Sequence, residues 1–254
     1  MRFAITRRVG PGIGRCELTH LERREIDVDL ASAQHRRYER SLAELGCDVR
    51  SLPPEPDLPD SVFVEDAAVV FRDLAVITRP GARSRRLETP SVAEALRPYR
   101  PLEYIEAPAT VDGGDVLVLG RRVYVGLSGR TNEAGVEQMR SIVEPWGHQV
   151  VAVPVEGCLH LKSAVGRVAP DTLLVNRRWV GAGVFSGVRL MDVDFSEPRA
   201  AGALLIGERV LYPARFRRTL ERLRRAHIDV VEVELSELAK AEAGVTCCSL
   251  VFEA

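Results

Sequence analysis

One unit recurs along this chain: a short apolar strand, a tight charged turn, and a second apolar strand. It occurs at Ala67–Phe71, Arg72-Asp73 and Leu74–Thr78, and again at Asp115–Leu119, Gly120-Arg121 and Arg122–Leu127. A looser copy spans Ser163–Val168, Ala169–Asp171 and Thr172–Asn176, and a further one spans Ala203–Ile206, Gly207-Glu208 and Arg209–Tyr212. The first three turns fall roughly 48 residues apart, and the last interval, from about 170 to 208, is shorter. Between hairpins the spacing predicts helices: Thr131–Val143, with Ala134, Val136, Met139, Ile142 and Val143 on one face, and Pro213–Ala226. Apolar strands follow at Leu102–Ile105, Val150–Val155 and Val230–Val233.

A period of about 50 residues gives 254 residues room for about five units, and repeats that bury their faces only against neighbours favour a closed ring. The expected fold is α/β, a pseudo-fivefold ring of ββαβ units, with residues 1–254 as a single domain. Arg2–Thr6 and Ser249–Phe252 both read as short strands, so the two ends are expected to supply one unit together. An open α/β sheet is the alternative that periodicity alone leaves standing. The Pro-rich Leu52–Pro59 reads as a surface connection.

Composition removes several roles. The chain has 35 Lys+Arg against 36 Asp+Glu, a net charge of −1, so it has no basic surplus for nucleic acid. Its longest apolar runs, such as Val150–Val155, fall far short of the ~20 residues that cross a bilayer. Met1–Gly10 has no signal-like apolar stretch, and a cytoplasmic location is expected. Cysteines stand at 16, 47, 158, 247 and 248, an odd set without a CxxC pair, so reduced thiols are expected.

The chemically capable residues fall at equivalent points of the repeat. Glu65-Asp66, Asp112, His160 and Cys247 all stand just before or at the start of a unit's first strand, which would aim them at one mouth of a ring. Glu65 and Asp66 sit inside an apolar run, where charge is costly unless a cationic substrate or a paired Arg answers it. A thiol with an imidazole is the minimal set for nucleophilic attack with acid–base help, and Asp112 would fix the imidazole's tautomer and keep its pKa up. His160, alternating with Leu159 and Leu161, would face away from both. Pattern does not decide which of Cys247 and Cys248 faces the mouth. With only one of the chain's five His in this set, no His pair at i,i+4 and no CxxC, a structural zinc site is not expected.

The runs LPDSVFVEDAAVV (58–70), ITRPGARSRR (77–86), TVDGGDVL (110–117), GLSGRTNEAG (126–135), LHLKS (159–163) and GVTCCS (244–249) closely resemble the dimethylarginine dimethylaminohydrolase family. That family belongs to a guanidine-modifying superfamily built as a five-bladed α/β-propeller, the same ring that the period predicts. The resemblance implies Cys247 as nucleophile, His160 as general acid and base, and Asp112 as its supporting carboxylate. It further implies that Asp66 and Glu65 hold the guanidinium, Arg85 and Arg130 the α-carboxylate, and Asp60 the α-amino group. Leu18, Ala241 and Glu242 are implied as further substrate contacts, with Glu242 standing where the family usually has Asp. The implied reaction hydrolyses methylated L-arginine to citrulline and an amine through a covalent thiouronium, with no metal or organic cofactor. The partner is then a small molecule, and a homodimer is admitted as the assembly. Crowding carboxylates should hold the resting thiol neutral. An arginine deiminase-like hydrolase or other guanidine- or ureido-modifying enzyme, and a non-catalytic arginine-binding protein, are the competing readings.

Overall fold

The computed structural model describes residues 1–254 and contains five separate three-stranded sheets. In the first, β1 (Arg2–Arg7) crosses through α1 (Val28–Glu44) to the parallel β2 (Cys47–Leu52). The second comprises the hairpin β3 (Ala68–Val70) and β4 (Ala75–Ile77), then α2 (Thr89–Leu96) and β5 (Leu102–Tyr104). The third repeats this with β6 (Val116–Leu119), β7 (Arg122–Leu127), α3 (Glu133–Val143) and β8 (Gln149–Pro154). In the fourth, a single helical turn, α4 (Leu161–Ala164), leads into β9 (Val165–Ala169), β10 (Thr172–Val175) and β11 (Arg189–Asp192). The fifth holds β12 (Leu204–Ile206), β13 (Arg209–Pro213), α5 (Arg217–Arg225) and β14 (Asp229–Val233). Finally β15 (Leu250–Glu253) pairs antiparallel with β1, setting Arg2 opposite Glu253 and giving the first sheet the same plan as the others.

Every sheet therefore has an antiparallel pair followed by a parallel third strand. The first-position strands carry the contacts between sheets: β15 packs on β3, β9 on β12, and α4 on β6. These are the blades of the five-bladed α/β-propeller that the resemblance implies, in keeping with the ring favoured by the period over an open sheet.

The helices form where apolar spacing and caps agree. In α3, the Asn132 side chain accepts the Gly135 amide, and Gly135, Val136, Met139 and Val143 form the buried face. The Val136, Met139 and Val143 side chains each contribute about 1.5–3 kcal/mol by leaving water. The predicted helix at 213 begins only at Arg217, because Tyr212 and Pro213 complete β13 against Glu232 and Val233. The fourth blade departs from the unit: a 3-10 turn, Ala182–Val184, replaces its crossover helix, which explains the shortened interval between 170 and 208. No helix is long and apolar enough to cross a membrane.

Candidate active site

The residues that the repeat singles out lie in turns leading into the first-position strands rather than on the strands themselves. Glu65 and Asp66 belong to the 3-10 turn Val64–Ala67 before β3, and Asp112 precedes the 3-10 turn Gly113–Asp115 before β6. His160 precedes α4, and Cys247 lies in the turn before β15. The expected alternation about His160 fails, because Leu161 starts α4 and is fully buried while Leu159 joins His160 on a cavity wall.

That cavity, of about 310 Å³, is lined by Asp60, Asp66, Arg85, Arg130, His160 and Cys247, with Ala241 and Glu242 at its side. A second cavity of about 930 Å³ adjoins it and shares His160, Glu242 and Cys247. Cys248 is fully buried in the core beneath, which answers the question the sequence left open. Two glycines let the turns close this tightly: a Cβ at Gly113 would stand 2.0 Å from the Glu65 carbonyl oxygen, and one at Gly114 would stand 2.5 Å from His160 Nδ1.

His160 Nε2 lies 3.0 Å from Asp112 Oδ2, and its Nδ1 lies 3.8 Å from Asp66 Oδ1. Burial opposes the imidazolium, but Asp66 and the Asp112 hydrogen bond outweigh it and raise His160 to about 9. Asp66 is opposed by burial too, yet His160 and Arg85 hold it down at about 2. Its Oδ2 accepts from Arg85 Nη1 at 2.5 Å and its Oδ1 from the Gly114 amide at 2.9 Å. Cys247 is driven up to about 12, first by burial and then by Glu65 and Asp66. The resting thiol is thus neutral as expected, with desolvation outranking the like-charge repulsion.

A protein cation answers each carboxylate in the apolar run. Arg85 meets Asp66, and Lys162 Nζ reaches Glu65 Oε1 at 2.6 Å while Thr246 Oγ1 donates to Glu65 Oε2 at 2.7 Å. Glu65 faces the larger cavity and not the smaller one that Asp66 lines. Arg85 is buried with most of its N–H groups engaged, by Asp66, Glu88 and the carbonyls of Asp60 and Phe63. Arg130 is freer, with Nη2 donating to Thr19 Oγ1 at 3.1 Å and Nη1 at 3.9 Å from Asp112.

Residues 16–20 cover the site. Asp60 Oδ2 accepts the Glu17 amide at 3.0 Å, and the Glu242 carboxylate accepts the amides of Thr19 and His20 at 2.9 and 2.5 Å. Leu18 packs on the core cluster beneath this segment and lines neither cavity. Asp66, Asp112 and His160 bring metal-type ligand atoms within 4.8 Å of one another, but those atoms are engaged by Arg85, Gly114 and each other. Sequence reasoning missed Lys162, Thr246 and Asp115. Lys162 and Asp115 stand inside the quoted runs LHLKS and TVDGGDVL, where an extra charge beside a reactive residue is the available signal.

Comparison with known proteins points to one family. A family model described as N,N dimethylarginine dimethylhydrolase, eukaryotic, matches residues 18–177. The chain is 43% identical to the N(G),N(G)-dimethylarginine dimethylaminohydrolase of Streptomyces coelicolor, over 97% of this chain and 95% of that protein. It superposes with TM-score 0.92 on the dimethylarginine dimethylaminohydrolase of Pseudomonas aeruginosa, solved as a cysteine-to-serine mutant complexed with citrulline, at 36% identity over 98% of both chains. A dimethylarginine dimethylaminohydrolase solved as a histidine-to-glycine adduct with S-methyl-L-thiocitrulline gives TM-score 0.93 at 36% identity, over 98% of this chain and 99% of that one.

Proposed function

The chain belongs to the dimethylarginine dimethylaminohydrolase family, and on that premise we propose that it hydrolyses Nω-methylated L-arginines to L-citrulline and the corresponding methylamine through a covalent intermediate on Cys247. The observation that carries this reading is the meeting, in one 310 Å³ cavity, of Cys247 with a His160 held between Asp66 and Asp112.

The charges order the steps. With His160 near 9 and Cys247 near 12, the resting site at neutral pH holds an imidazolium beside a neutral thiol. A guanidinium entering beside Asp66 lowers His160 by like-charge repulsion and lowers Cys247 by attracting its thiolate, so the thiol gives its proton to solvent as substrate binds and nucleophile and substrate activate together. The thiolate forms a C–S bond to the guanidinium carbon, and His160 gives its proton to the methylated nitrogen as the C–N bond breaks. The neutral imidazole then takes a proton from water. Attack of that water on the thiouronium breaks the C–S bond, releases citrulline and restores the thiol.

At the amino-acid end, the engagement of Arg85 supports Arg130 as the principal α-carboxylate ligand, with Arg85 contributing what is left of its Nη1. Asp60 suits the α-amino group, which would displace the Glu17 amide from Oδ2. The same reading treats residues 1–254 as one propeller domain, supported by the pairing of both terminal strands in one sheet.

The test is citrulline formation from asymmetric dimethylarginine, monomethylarginine and arginine in parallel, by the unmodified protein and by Cys247→Ser. Methylated substrates should turn over only with Cys247 present. Faster citrulline release from arginine than from the methylated forms would instead assign a deiminase.

A further inference from the structure

Asp115 has no part in the chemistry above. It is fully buried, lines neither cavity and forms no ion pair with Lys or Arg. A carboxylate buried without a basic partner is costly, so its hydrogen bonds and the charge it faces must account for it. Its Oδ1 accepts the Leu161 amide at 2.9 Å, which fixes the backbone immediately after His160. Its Oδ2 accepts from Ser128 Oγ at 2.6 Å and Thr131 Oγ1 at 2.7 Å. The Thr131 hydroxyl in turn accepts the Asp112 amide at 3.1 Å. Space for this carboxylate depends on Gly126, where a Cβ would lie 2.7 Å from Oδ1.

We propose that Asp115 is a positioning residue for the His160–Asp112 pair, gripping His160 through the Leu161 amide and Asp112 through the Thr131 hydroxyl. The proposal rests on the reading of His160 as the acid–base group. Two residues far apart in sequence must keep a 3.0 Å contact during turnover, and one buried carboxylate holds the backbone of both. Its negative charge has a second effect. Burial lowers the proton affinity of His160, while Asp66, the Asp112 hydrogen bond and then Asp115 raise it. Other charged or titratable groups around the imidazole include Arg85 behind Asp66, Arg130 beside Asp112, the Lys162–Glu65 pair, Cys158 and Cys247, with Asp60 and Glu242 across the same cavity.

The experiment compares Asp115→Asn, Thr131→Val and Thr131→Ser with the unmodified protein, reading kcat, KM and the His160 imidazole titration by NMR. Asp115→Asn should lower kcat about 100-fold, the scale of a 1 Å misplacement, and move the His160 midpoint downward. Thr131→Val, which removes the link to Asp112 without changing charge, should lower kcat and leave KM nearly unchanged, while Thr131→Ser should restore kcat. A folded Asp115→Asn protein with unchanged kcat and His160 midpoint would overturn the proposal. Equal kcat in Thr131→Val and Thr131→Ser would do the same, and that pair decides if Asp115→Asn does not fold. The underlying assignment fails separately, if His160→Gly turns over methylated arginine at the normal rate.

Discussion

A Cys247 thiol near 12 means that at pH 8 only about one molecule in 10⁴ carries the thiolate, and that ionisation costs about 4 kcal/mol more than for an ordinary cysteine of 9.0. Burial supplies the largest share, followed by Glu65 and Asp66. Glu65→Gln removes one charge while leaving Asp66 and the desolvation in place. The thiol should then fall, though not to its ordinary value. The assay is the rate of alkylation of Cys247 by iodoacetamide, followed by mass spectrometry of its peptide so that the four buried cysteines do not interfere. In the unmodified protein the logarithm of the rate should climb with unit slope from pH 6 to 10 without a plateau, because the reactive fraction is still rising. Glu65→Gln should react about tenfold faster at each pH for every pKa unit removed. A plateau below pH 9 in the unmodified protein would show an already ionised thiol and refute the reasoning.

Arg85→Ala and Arg130→Ala should part company. The first leaves Asp66 and Glu88 buried without their cation and should cost about 3–5 kcal/mol in urea unfolding, whereas the second should raise KM by the equivalent of about 1.5–3 kcal/mol with the fold intact. Agmatine turned over as well as dimethylarginine would sink the role given to Arg130. His160, raised from 6.5 to about 9, contributes stability that is complete below pH 6.5 and lost as pH rises through 9; Asp66, lowered to about 2, contributes stability present above 3.8 and lost as pH falls toward 2. Unfolding free energy should therefore drop by about 3 kcal/mol between pH 6.5 and 9.5, and the difference from His160→Gln should shrink over the same interval. Cys248→Ser should lower stability by about 1–3 kcal/mol through a buried hydroxyl yet retain turnover, and loss of chemistry there with the fold intact would move the nucleophile.

The hairpins were legible because each pairs two apolar runs across a charged two- or three-residue turn, a local signal that needs no tertiary context. The same regularity placed Asp66, Asp112, His160 and Cys247 together. Helix α1 was not legible, since its buried face carries Gln34, His35 and Tyr38, which read as solvent-facing. That face is polar because it supports loops: Gln34 Oε1 accepts the Glu237 amide, and Tyr38 Oη donates to the Val245 carbonyl just ahead of Cys247. The engagement of Arg85 was equally hidden: Glu88 stands at i+3, but only the 3-10 helix Arg83–Glu88 brings the pair together, and the contact with Asp66 spans 19 residues. The helical turn after His160 escaped notice because four residues are too few to show a helical period and Ser163-Ala164 run straight into the apolar strand that follows.

The pairing of β1 with β15 joins residues 251 positions apart, and the turn bearing Cys247 is held directly ahead of that seam. Such a contact carries a large loop-closure cost and should form late. On the assignment of Cys247 as nucleophile, a chain folded everywhere except at this seam should hold its anionic and imidazole groups but lack its sulfur attacker, and a half-assembled molecule should be chemically silent. Citrulline release is then a direct clock for ring completion: in a refolding experiment it should begin only when the first blade is whole, however early the other four have formed.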